Sequence, residues 1–277
     1  MFVVFDIGGT NMRIATSSDG ESFSDPKVFS TPQNFDEALE IFRDFKKSIP
    51  VSEKIEKVIG GLPGVLDKNK NSLVTAPNLQ KWVGKDIRFE LANIFDSDVL
   101  LENDTALVGL GESVRGAGKG SAIVAYLGLG TGFGGTRIVN GRIDGVNYNF
   151  EPGHQIVDVD GSIMGHIVDL EFLTSGSGIL KRFGKETQEI QDENVWEEVA
   201  SYLAYGIHNT LVYWTPDVVV VGGGLILNGL IDLGKVRNKL EEISRVYPQL
   251  PEIKVSELGE FGGLYGALSL LSNRSYR

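Results

Sequence analysis

Two glycine-rich turns follow apolar segments and have the composition of loops that bind phosphate. The first turn is Asp6-Ile7-Gly8-Gly9-Thr10-Asn11, and the second runs from Gly128 to Gly135. Glycine lets backbone N–H groups turn toward an anion, and the carboxylate of Asp6 could hold Mg²⁺ through water. The first turn alone is explained equally well as a tight β-hairpin. Its recurrence as strand, turn and strand favours two phosphate-binding hairpins in one chain.

A third glycine cluster, Gly222–Gly224, follows the apolar run Val218–Val221. Four consecutive valines indicate a strand buried on both faces, and ligands of α/β sheets bind beyond the carboxyl ends of strands. We therefore predict that an adenosine group lies on the backbone of Gly222 and Gly223. The spacing matches neither the G-x-G-x-x-G fingerprint of dinucleotide-binding folds nor a Walker A loop.

One carboxylate, Asp104, stands where a buried strand meets a helix. The strand is predicted at Val99–Leu101, and the helix runs from Asp104 to about Val114. From the residues alone, two interpretations of Asp104 stay open. It could be the N-cap of the helix, a position at which aspartate is favoured, or a general base that faces a hydroxyl group, and the two roles are not exclusive.

The segment Glu151-Pro152-Gly153-His154 places a carboxylate and an imidazole three residues apart. Together with asparagine, these groups can read sugar hydroxyls through hydrogen bonds of fixed geometry. A metal site formed by Glu151, His154 and His166 is a less favoured alternative, because the remaining ligands are not evident. The third histidine, His208, falls in a helix and is interpreted as structural.

These candidate residues must be positioned by alternating strands and helices. Strands are predicted at Phe2–Phe5, Arg13–Thr16, Lys57–Leu62, Val99–Leu101, Ser121–Leu127 and Val218–Val221, and helices behind Asn34, at 104–114, Glu193–Trp214 and Leu264–Leu271. Within Glu193–Trp214 apolar residues recur at every fourth position, which indicates a buried stripe. The alternation predicts an α/β fold.

Glycine is the compositional outlier, with 35 among 277 residues, whereas cysteine is absent. The absence of cysteine excludes disulfides, thiol nucleophiles and every cysteine-ligated zinc site. The net charge is −11 and no basic cluster is present, so we expect no nucleic-acid partner. No apolar run approaches the ~18 residues of a membrane span, and the N-terminus carries no targeting signal. We expect a soluble cytoplasmic protein that does not bind membranes.

Together these motifs resemble the ROK family of sugar kinases and related repressors, within the actin-like ATPase superfamily. The resemblance runs along nearly the whole chain and in family order. Its segments are Asp6–Arg13, Gly61–Asp67 (G-x-P-G-x-x-D), Pro77–Leu79, Asn103-Asp104 through Gly111-Glu112, Leu129–Gly135, Glu151–His154 (E-x-G-H), Glu171 with Ser175-Gly176, and Pro216–Gly224. Each segment is short and would be weak evidence by itself. The resemblance rests on the occurrence of all eight segments in the order that they have in the family.

The resemblance implies a two-domain actin-like ATPase fold (ribonuclease H-like, α/β) with a cleft between the domains. The smaller N-terminal domain is expected at 1–116, completed by the C-terminal helix 262–277, and the larger domain at 117–261. The implied activity is phosphorylation of a hexose, glucose by preference, at its 6-hydroxyl with ATP and Mg²⁺. A homodimer is also implied, and the two halves are expected to close over the sugar and exclude water.

The resemblance also assigns roles to single residues. Asp104 would accept the proton of the sugar hydroxyl, and an aspartate with an ordinary pKa of about 4 would suffice because the transition state of phosphoryl transfer is loose. Asp6 would hold Mg²⁺ through water. The sugar would be bound by Gly64, Asn78, Asn103, Asp104, Glu151, His154 and Glu171. The nucleotide and its phosphates would be bound by Gly8, Gly9, Thr10, Asn11, Arg13, Thr131, Gly132, Gly222 and Gly223.

The chain departs from the family pattern where other members carry zinc. Family members commonly have a C-x-C-G-x-x-G-C run after E-x-G-H, but no cysteine lies between Gln155 and Leu170. Structural zinc is therefore excluded, and His154 must be oriented by hydrogen bonds alone. Pro152 and Ala106 also differ from the residues usual in the family, which leaves the identity of the sugar open.

Several alternatives to an ATP-dependent glucokinase remain. The donor could be polyphosphate, and the acceptor could be an N-acetylhexosamine, mannose or fructose. A catalytically silent sugar-binding regulator is disfavoured by the intact Asp6 and Asp104. An actin-like ATPase without a sugar would leave Asn78, Glu151, His154 and Glu171 without a purpose. A DNA-binding repressor is not expected, because the chain is acidic and starts directly on the first predicted strand.

Overall fold

In the computed structural model, which describes residues 1–145 and 148–272, the chain divides into two units. Of the described residues, unit 1 contains 1–111, 145, 148–149 and 260–272, and unit 2 contains 112–144 and 150–259. The sequence predicts boundaries after 116 and 261, a few residues away from these. The predicted C-terminal helix extends beyond 272, and that part of it lies outside the described residues.

Strands and helices alternate, so the predicted α/β fold is confirmed. The strands are β1 (Phe2–Ile7), β2 (Asn11–Ser17), β3 (Lys27–Ser30), β4 (Lys57–Leu62), β5 (Val65–Leu66), β6 (Leu73–Thr75), β7 (Asp98–Asn103), β8 (Ile123–Leu129), β9 (Phe133–Val139), β10 (Arg142–Ile143), β11 (Val218–Gly222) and β12 (Glu252–Val255). The helices are α1 (Phe35–Lys47), α2 (Ile87–Phe95), α3 (Asp104–Arg115), α4 (Leu170–Thr174), α5 (Gly176–Phe183), α6 (Glu193–Trp214), α7 (Gly224–Leu227), α8 (Leu233–Ile243) and α9 (Gly262–Ser272). None of these helices is long and apolar enough to cross a membrane.

Unit 1 is built on the five-stranded sheet β3-β2-β1-β4-β7. β1, β4 and β7 are parallel, whereas β1 and β2 form an antiparallel hairpin. In the core, Phe5 of β1 packs edge-to-face on Phe42 of α1, and Phe42 packs in the same way on Phe95 of α2. These aromatic contacts hold α1 and α2 against the sheet. α9 packs against β1 and β4.

Unit 2 contains a second five-stranded sheet with the matching order β10-β9-β8-β11-β12. β8, β11 and β12 are parallel, and β8 and β9 form the antiparallel hairpin. The hairpin repeated in the sequence therefore corresponds to a repeated sheet topology. The long helix α6 buries Val199, Leu203, Ile207 and Leu211 of the predicted stripe, and the first residue of that stripe, Val195, is partly buried against the same core. It ends at Trp214, and its C-cap Thr215 has a left-handed backbone (φ 46°) and is followed by Pro216.

Strands extend past their predicted ends, and this moves candidate residues into or next to a sheet. β1 is predicted to end at Phe5 but ends at Ile7, so Asp6 is a strand residue that pairs with Arg13 of β2 and Gly61 of β4. β7 likewise continues to Asn103, directly before Asp104. Pairing with neighbouring strands accounts for the longer β1, and local sequence does not reveal such pairing.

Candidate active site

Two carboxylates, Asp6 and Asp104, lie at the carboxyl ends of parallel strands in unit 1. Asp6 is the last but one residue of β1, and Asp104 follows β7. Gly61 of β4, the strand between them, adjoins both. A Cβ at Gly61 would lie 3.0 Å from the Cα of Asp104 and 3.2 Å from Oδ1 of Asp6. The missing side chain of Gly61 therefore allows the close approach of these strand ends.

Burial changes the proton affinity of both carboxyl groups. Burial and the negative charge of Asp104 raise the pKa of Asp6 to about 7, although the charge of Arg13 opposes this shift. Burial also raises the pKa of Asp104 to about 6, against the lowering effect of a hydrogen bond from the Thr105 N–H at 2.7 Å. An ordinary pKa would have sufficed for the predicted role of Asp104, and its raised pKa reflects the loss of water around the carboxyl group, which sequence alone does not show.

The buried Asp6 and the partly buried Asp104 fit a hydrated Mg²⁺ ion. Carboxylate oxygens are the ligands that Mg²⁺ prefers, and Mg²⁺ usually keeps several of its waters. Burial and the negative charge of Asp104 both disfavour the ionised form of Asp6, as its raised pKa indicates, and a nearby divalent cation would offset this cost. Asp6 is therefore suited to the role predicted for it.

The first glycine turn links β1 and β2 and presents polar groups to solvent. The N–H of Gly8 donates to the carbonyl of Asn11 at 2.8 Å, and Thr10 and Asn11 are exposed. Arg13 lies opposite Asp6 in the hairpin, and its Nε is buried with no hydrogen-bond partner among the described residues. An unpaired buried donor is costly, so the guanidinium group is suited to an anionic ligand. Its Nη2 donates to Glu260 at 3.0 Å.

Asn78, a predicted sugar ligand, lies beside this turn. A Cβ at Gly9 would be 3.2 Å from Nδ2 of Asn78, so the two residues are in contact. The side chain of Asn78 is exposed. The structure thus brings one predicted sugar-binding residue and one predicted phosphate-binding residue together within unit 1.

Asn103 positions both Asp104 and Gly64. Its Oδ1 accepts a hydrogen bond from the N–H of Ala106 at 2.9 Å, and its Nδ2 donates to the carbonyl of Gly64 at 3.0 Å. The first of these bonds is that of an N-cap residue to the third helical residue, since α3 begins at Asp104. The N-cap interpretation of Asp104 is therefore wrong, because the neighbouring amide occupies that role. This frees the Asp104 carboxylate from capping α3.

α9 supplies residues that sequence reasoning missed. A Cβ at Gly263 would lie 2.4 Å from Cγ of Asp6, and one at Gly266 would lie 1.8 Å from the carbonyl oxygen of Leu107 in α3. Only glycine allows α9 to approach Asp6 and α3 so closely. The run Gly262-Gly263 with Gly266 is visible in the sequence, but its partners are more than a hundred residues away along the chain.

In unit 2 the second glycine turn connects β8 and β9 and contains the predicted ligands Thr131 and Gly132. It is braced by the following helices. The N–H of Gly176 donates to the carbonyl of Gly130 at 2.9 Å, and the N–H of Ser177 donates to that of Thr131 at 3.0 Å. The turn is thereby fixed at the start of α5.

Glu171, a predicted sugar ligand, contacts the same turn. Its Oε2 accepts a hydrogen bond from the N–H of Phe133 at 2.8 Å. The structure therefore gives this carboxylate a contact that the resemblance did not assign.

Glu151 and His154 lie on a short turn that is tied to its surroundings by side chains. Nδ1 of His154 is 2.8 Å from Oδ2 of Asp169, whose Oδ1 caps α4 by accepting the N–H of Phe172. Gln155 donates to the carbonyl of Pro152 at 2.8 Å. Both Glu151 and His154 are exposed. Asp169 was not singled out by sequence reasoning, and it provides the orienting hydrogen bond that His154 requires in the absence of zinc.

The metal-site alternative for Glu151, His154 and His166 is wrong. Across residues 1–145 and 148–272 no group of three or more histidine, aspartate or glutamate side chains could hold a metal ion. Nδ1 of His166 instead lies 3.1 Å from the carbonyl of Met164. The loop between β10 and α4 thus does not gather the ligands that such a site needs.

Replacing Asp169 with asparagine is expected to lower the pKa of His154. The hydrogen bond to Asp169 is the largest cause that raises this pKa above 6.5, and the charges of Glu171, Asp169 and Glu151 add to it. Because the folded pKa is raised, the contact stabilises the fold below pH 6.5 and is lost as the pH rises through the pKa of folded His154. Asparagine retains the cap of α4.

An NMR titration of the His154 C2–H resonance in the parent and Asp169→Asn proteins measures this effect. An unchanged titration of His154 in the Asp169→Asn protein would show that Asp169 does not govern the imidazole.

Gly222 and Gly223 end β11 beside the second glycine turn. Gly222 pairs with Gly128 of β8, and α7 begins directly after Gly223. Gly223 has a left-handed backbone (φ 85°), and a Cβ there would lie 2.2 Å from the carbonyl oxygen of Leu129. The predicted adenosine surface is therefore backbone that cannot carry side chains.

Comparison with known proteins places these motifs in a family. The sequence profile of the ROK family matches residues 2–274. Glucokinase from Thermotoga maritima is 27% identical and aligns over 97% of this chain and 96% of its own length. N-acetyl-D-glucosamine kinase from Escherichia fergusonii is 29% identical and aligns over 98% of this chain and 99% of its own length. The crystal structure of a ROK hexokinase from Thermus thermophilus, 25% identical, superimposes with a TM-score of 0.83 over 99% of both chains. This likeness confirms the predicted two-domain actin-like fold.

Proposed function

This chain belongs to the ROK family, and on that premise we propose that it phosphorylates the 6-hydroxyl of a hexose, glucose by preference, with ATP as the donor. The observation that carries the proposal is the close approach of two carboxylates at adjoining strand ends in unit 1, the buried Asp6 and the partly buried Asp104. Relatives that act on glucose and on N-acetyl-D-glucosamine support a sugar as the substrate class.

In the proposed reaction Asp104 is the general base. Its carboxylate accepts the proton of the 6-hydroxyl as that oxygen bonds to the γ-phosphorus, while the bond from this phosphorus to the β,γ-bridging oxygen breaks and ADP leaves. Positioning and charge stabilisation dominate phosphoryl transfer. A pKa of about 6 leaves Asp104 ionised at neutral pH and closer to the operating pH than an ordinary aspartate.

The remaining residues keep their predicted roles in the proposal. Sugar hydroxyls are bound by Gly64, Asn78, Asn103, Glu151, His154 and Glu171, and the nucleotide and its phosphates by Gly8, Gly9, Thr10, Asn11, Arg13, Thr131, Gly132, Gly222 and Gly223. Asp6 holds Mg²⁺ through water. When bound, Mg²⁺ supplies positive charge that offsets the negative charge of the transferring phosphate.

Coupled detection of ADP over a panel of hexoses tests the proposal. With ATP and Mg²⁺ we expect the highest kcat/KM for glucose, followed by mannose, fructose and the N-acetylhexosamines, since one missing hydroxyl partner can cost large factors in rate. Initial rates of sugar-phosphate formation with ATP and with polyphosphate identify the phosphate donor. The parent protein without sugar measures background hydrolysis.

Two results would contradict the proposed function. If no sugar releases ADP above background while calorimetry detects hexose binding, the chain is a silent sugar-binding protein. If ATP is hydrolysed at a rate that no sugar changes, it is an ATPase without a sugar substrate.

A further inference from the structure

We propose that Glu171 is a positioning residue that couples sugar binding to phosphate binding within unit 2. One oxygen of its carboxylate holds the turn between β8 and β9, and the other oxygen is available to a sugar hydroxyl. The hairpin contact is a feature of this structure, whereas the sugar contact rests on the proposed function. Loss of this one carboxylate would therefore uncouple the two ligands.

The contact with the turn is close and specific. The N–H of Phe133 donates to Oε2 of Glu171 at 2.8 Å, and a Cβ at Gly132 would lie only 2.9 Å from the same oxygen. Gly132 thus provides the space that the carboxylate occupies. Phe133 is 2% exposed in the core of unit 2, so its side chain is held by packing while its N–H is held by the carboxylate. The carboxylate and the core together fix the start of β9.

The second oxygen of Glu171, Oε1, is the one that a sugar hydroxyl could reach. Within the described part of the chain, Oε1 makes no hydrogen bond, and Glu171 is partly exposed. Its helix, α4, packs against the short turn Pro152–His154, and the negative charge of Glu171 adds to the raised pKa of His154. Glu171 is therefore near a predicted sugar ligand while it contacts the predicted phosphate turn.

The turn does not depend on Glu171 for its existence. Two backbone hydrogen bonds, from Gly176 to Gly130 and from Ser177 to Thr131, brace it independently. Ser175 caps α5 through the N–H of Gly178, which fixes the helix that supplies both bonds. Removal of the carboxylate should leave the fold intact and loosen only the side of the turn that leads into Phe133.

Coupling follows because the carboxylate is shared. A sugar hydroxyl that donates to Oε1 restricts the rotation of Glu171, and the turn then loses less conformational freedom when phosphate binds. Linkage requires the effect to be reciprocal. We expect a saturating hexose to tighten nucleotide binding by about fivefold or more, which is the lower end of typical couplings between sites.

The experiment compares four proteins: the parent, Glu171→Gln, Glu171→Ala and the control Glu193→Gln at the exposed start of α6. The dissociation constant of a non-hydrolysable ATP analogue is measured by calorimetry with and without saturating glucose. The dissociation constant without glucose, divided by that with glucose, should be about 5 or more in the parent and in the control. This ratio should be smaller in Glu171→Gln and about 1 in Glu171→Ala. In the absence of ligands, hydrogen exchange at the Phe133 amide should be faster in Glu171→Ala.

The outcomes separate the possible roles of Glu171. If it is only a sugar ligand, Glu171→Ala weakens glucose binding but keeps the parent ratio once glucose saturates, and the coupling is overturned. If it is only structural, both nucleotide constants rise together and the ratio is again unchanged. Unchanged exchange at Phe133 in Glu171→Ala overturns the positioning role. A parent protein that binds no hexose overturns the coupling and the proposed function together.

Discussion

Replacement of Asp104 with asparagine is expected to lower kcat by at least about 100-fold, which is the range for a positioned acid–base group. The dissociation constant for the hexose should stay within a few-fold of the parent value. Asparagine has nearly the same shape and keeps an oxygen that can accept the N–H of Thr105, but it cannot take up the proton of the 6-hydroxyl. A loss confined to kcat is what removal of a base predicts.

The measurement is steady-state kinetics with coupled ADP detection, together with calorimetry of glucose binding. Asp98→Asn is the matched control, because Asp98 is an exposed aspartate at the other end of β7. This control should keep the parent kcat. Near-normal turnover in Asp104→Asn would show that Asp104 is not the base.

Replacement of Gly266 with alanine is expected to destabilise the fold by about 3 kcal/mol or more, at the upper end of the cost of overpacking. The new Cβ would lie 1.8 Å from the carbonyl oxygen and 2.4 Å from the carbonyl carbon of Leu107. These are backbone atoms, so no side chain can rotate away, and α9 must move from α3. Any such movement also changes the position of Gly263 against Asp6.

Urea unfolding measures the free energy of unfolding of this variant. The control is Gly224→Ala at the start of α7, where the nearest atom to the new Cβ, Nδ2 of Asn228, is 3.9 Å away. Alanine favours the helix at that position, so the control should be as stable as the parent. A Gly266→Ala protein with parental stability would mean that α9 and α3 are not in close contact.

Much of the fold could be predicted because it depends on neighbours in sequence. The valine run of β11, the stripe of α6 and the recurrent strand–glycine–strand pattern are local signals of burial, helical period and turn geometry. They indicate the α/β class, the repeated hairpin and the positions of the glycine turns. The ends of β1 and β7 were less predictable, since pairing with other strands extends them to Ile7 and Asn103.

The candidate site was predicted in its residues but not in their contacts. From the sequence, Asp104 was a possible N-cap of α3, whereas in the structure the side-chain amide of Asn103 caps this helix. The family resemblance assigned Glu171 to the sugar, whereas in the structure one oxygen of Glu171 accepts a hydrogen bond from the N–H of Phe133, 38 residues away. Asp169 was overlooked, because a helix-capping aspartate gives no local sign that its second oxygen meets His154.

The amino-acid sequence by itself determined the kinds of groups present: two glycine turns for anions, a carboxylate after a buried strand, and a carboxylate–imidazole pair without cysteine. Only the tertiary structure decided how Asp6 and Asp104 affect each other. Gly61 and Gly263 let β4 and α9 lie against Asp6, and that packing excludes the water that would otherwise stabilise its charge. Residue types are a local property of the chain, whereas burial and the distance between charges arise only when distant segments pack together.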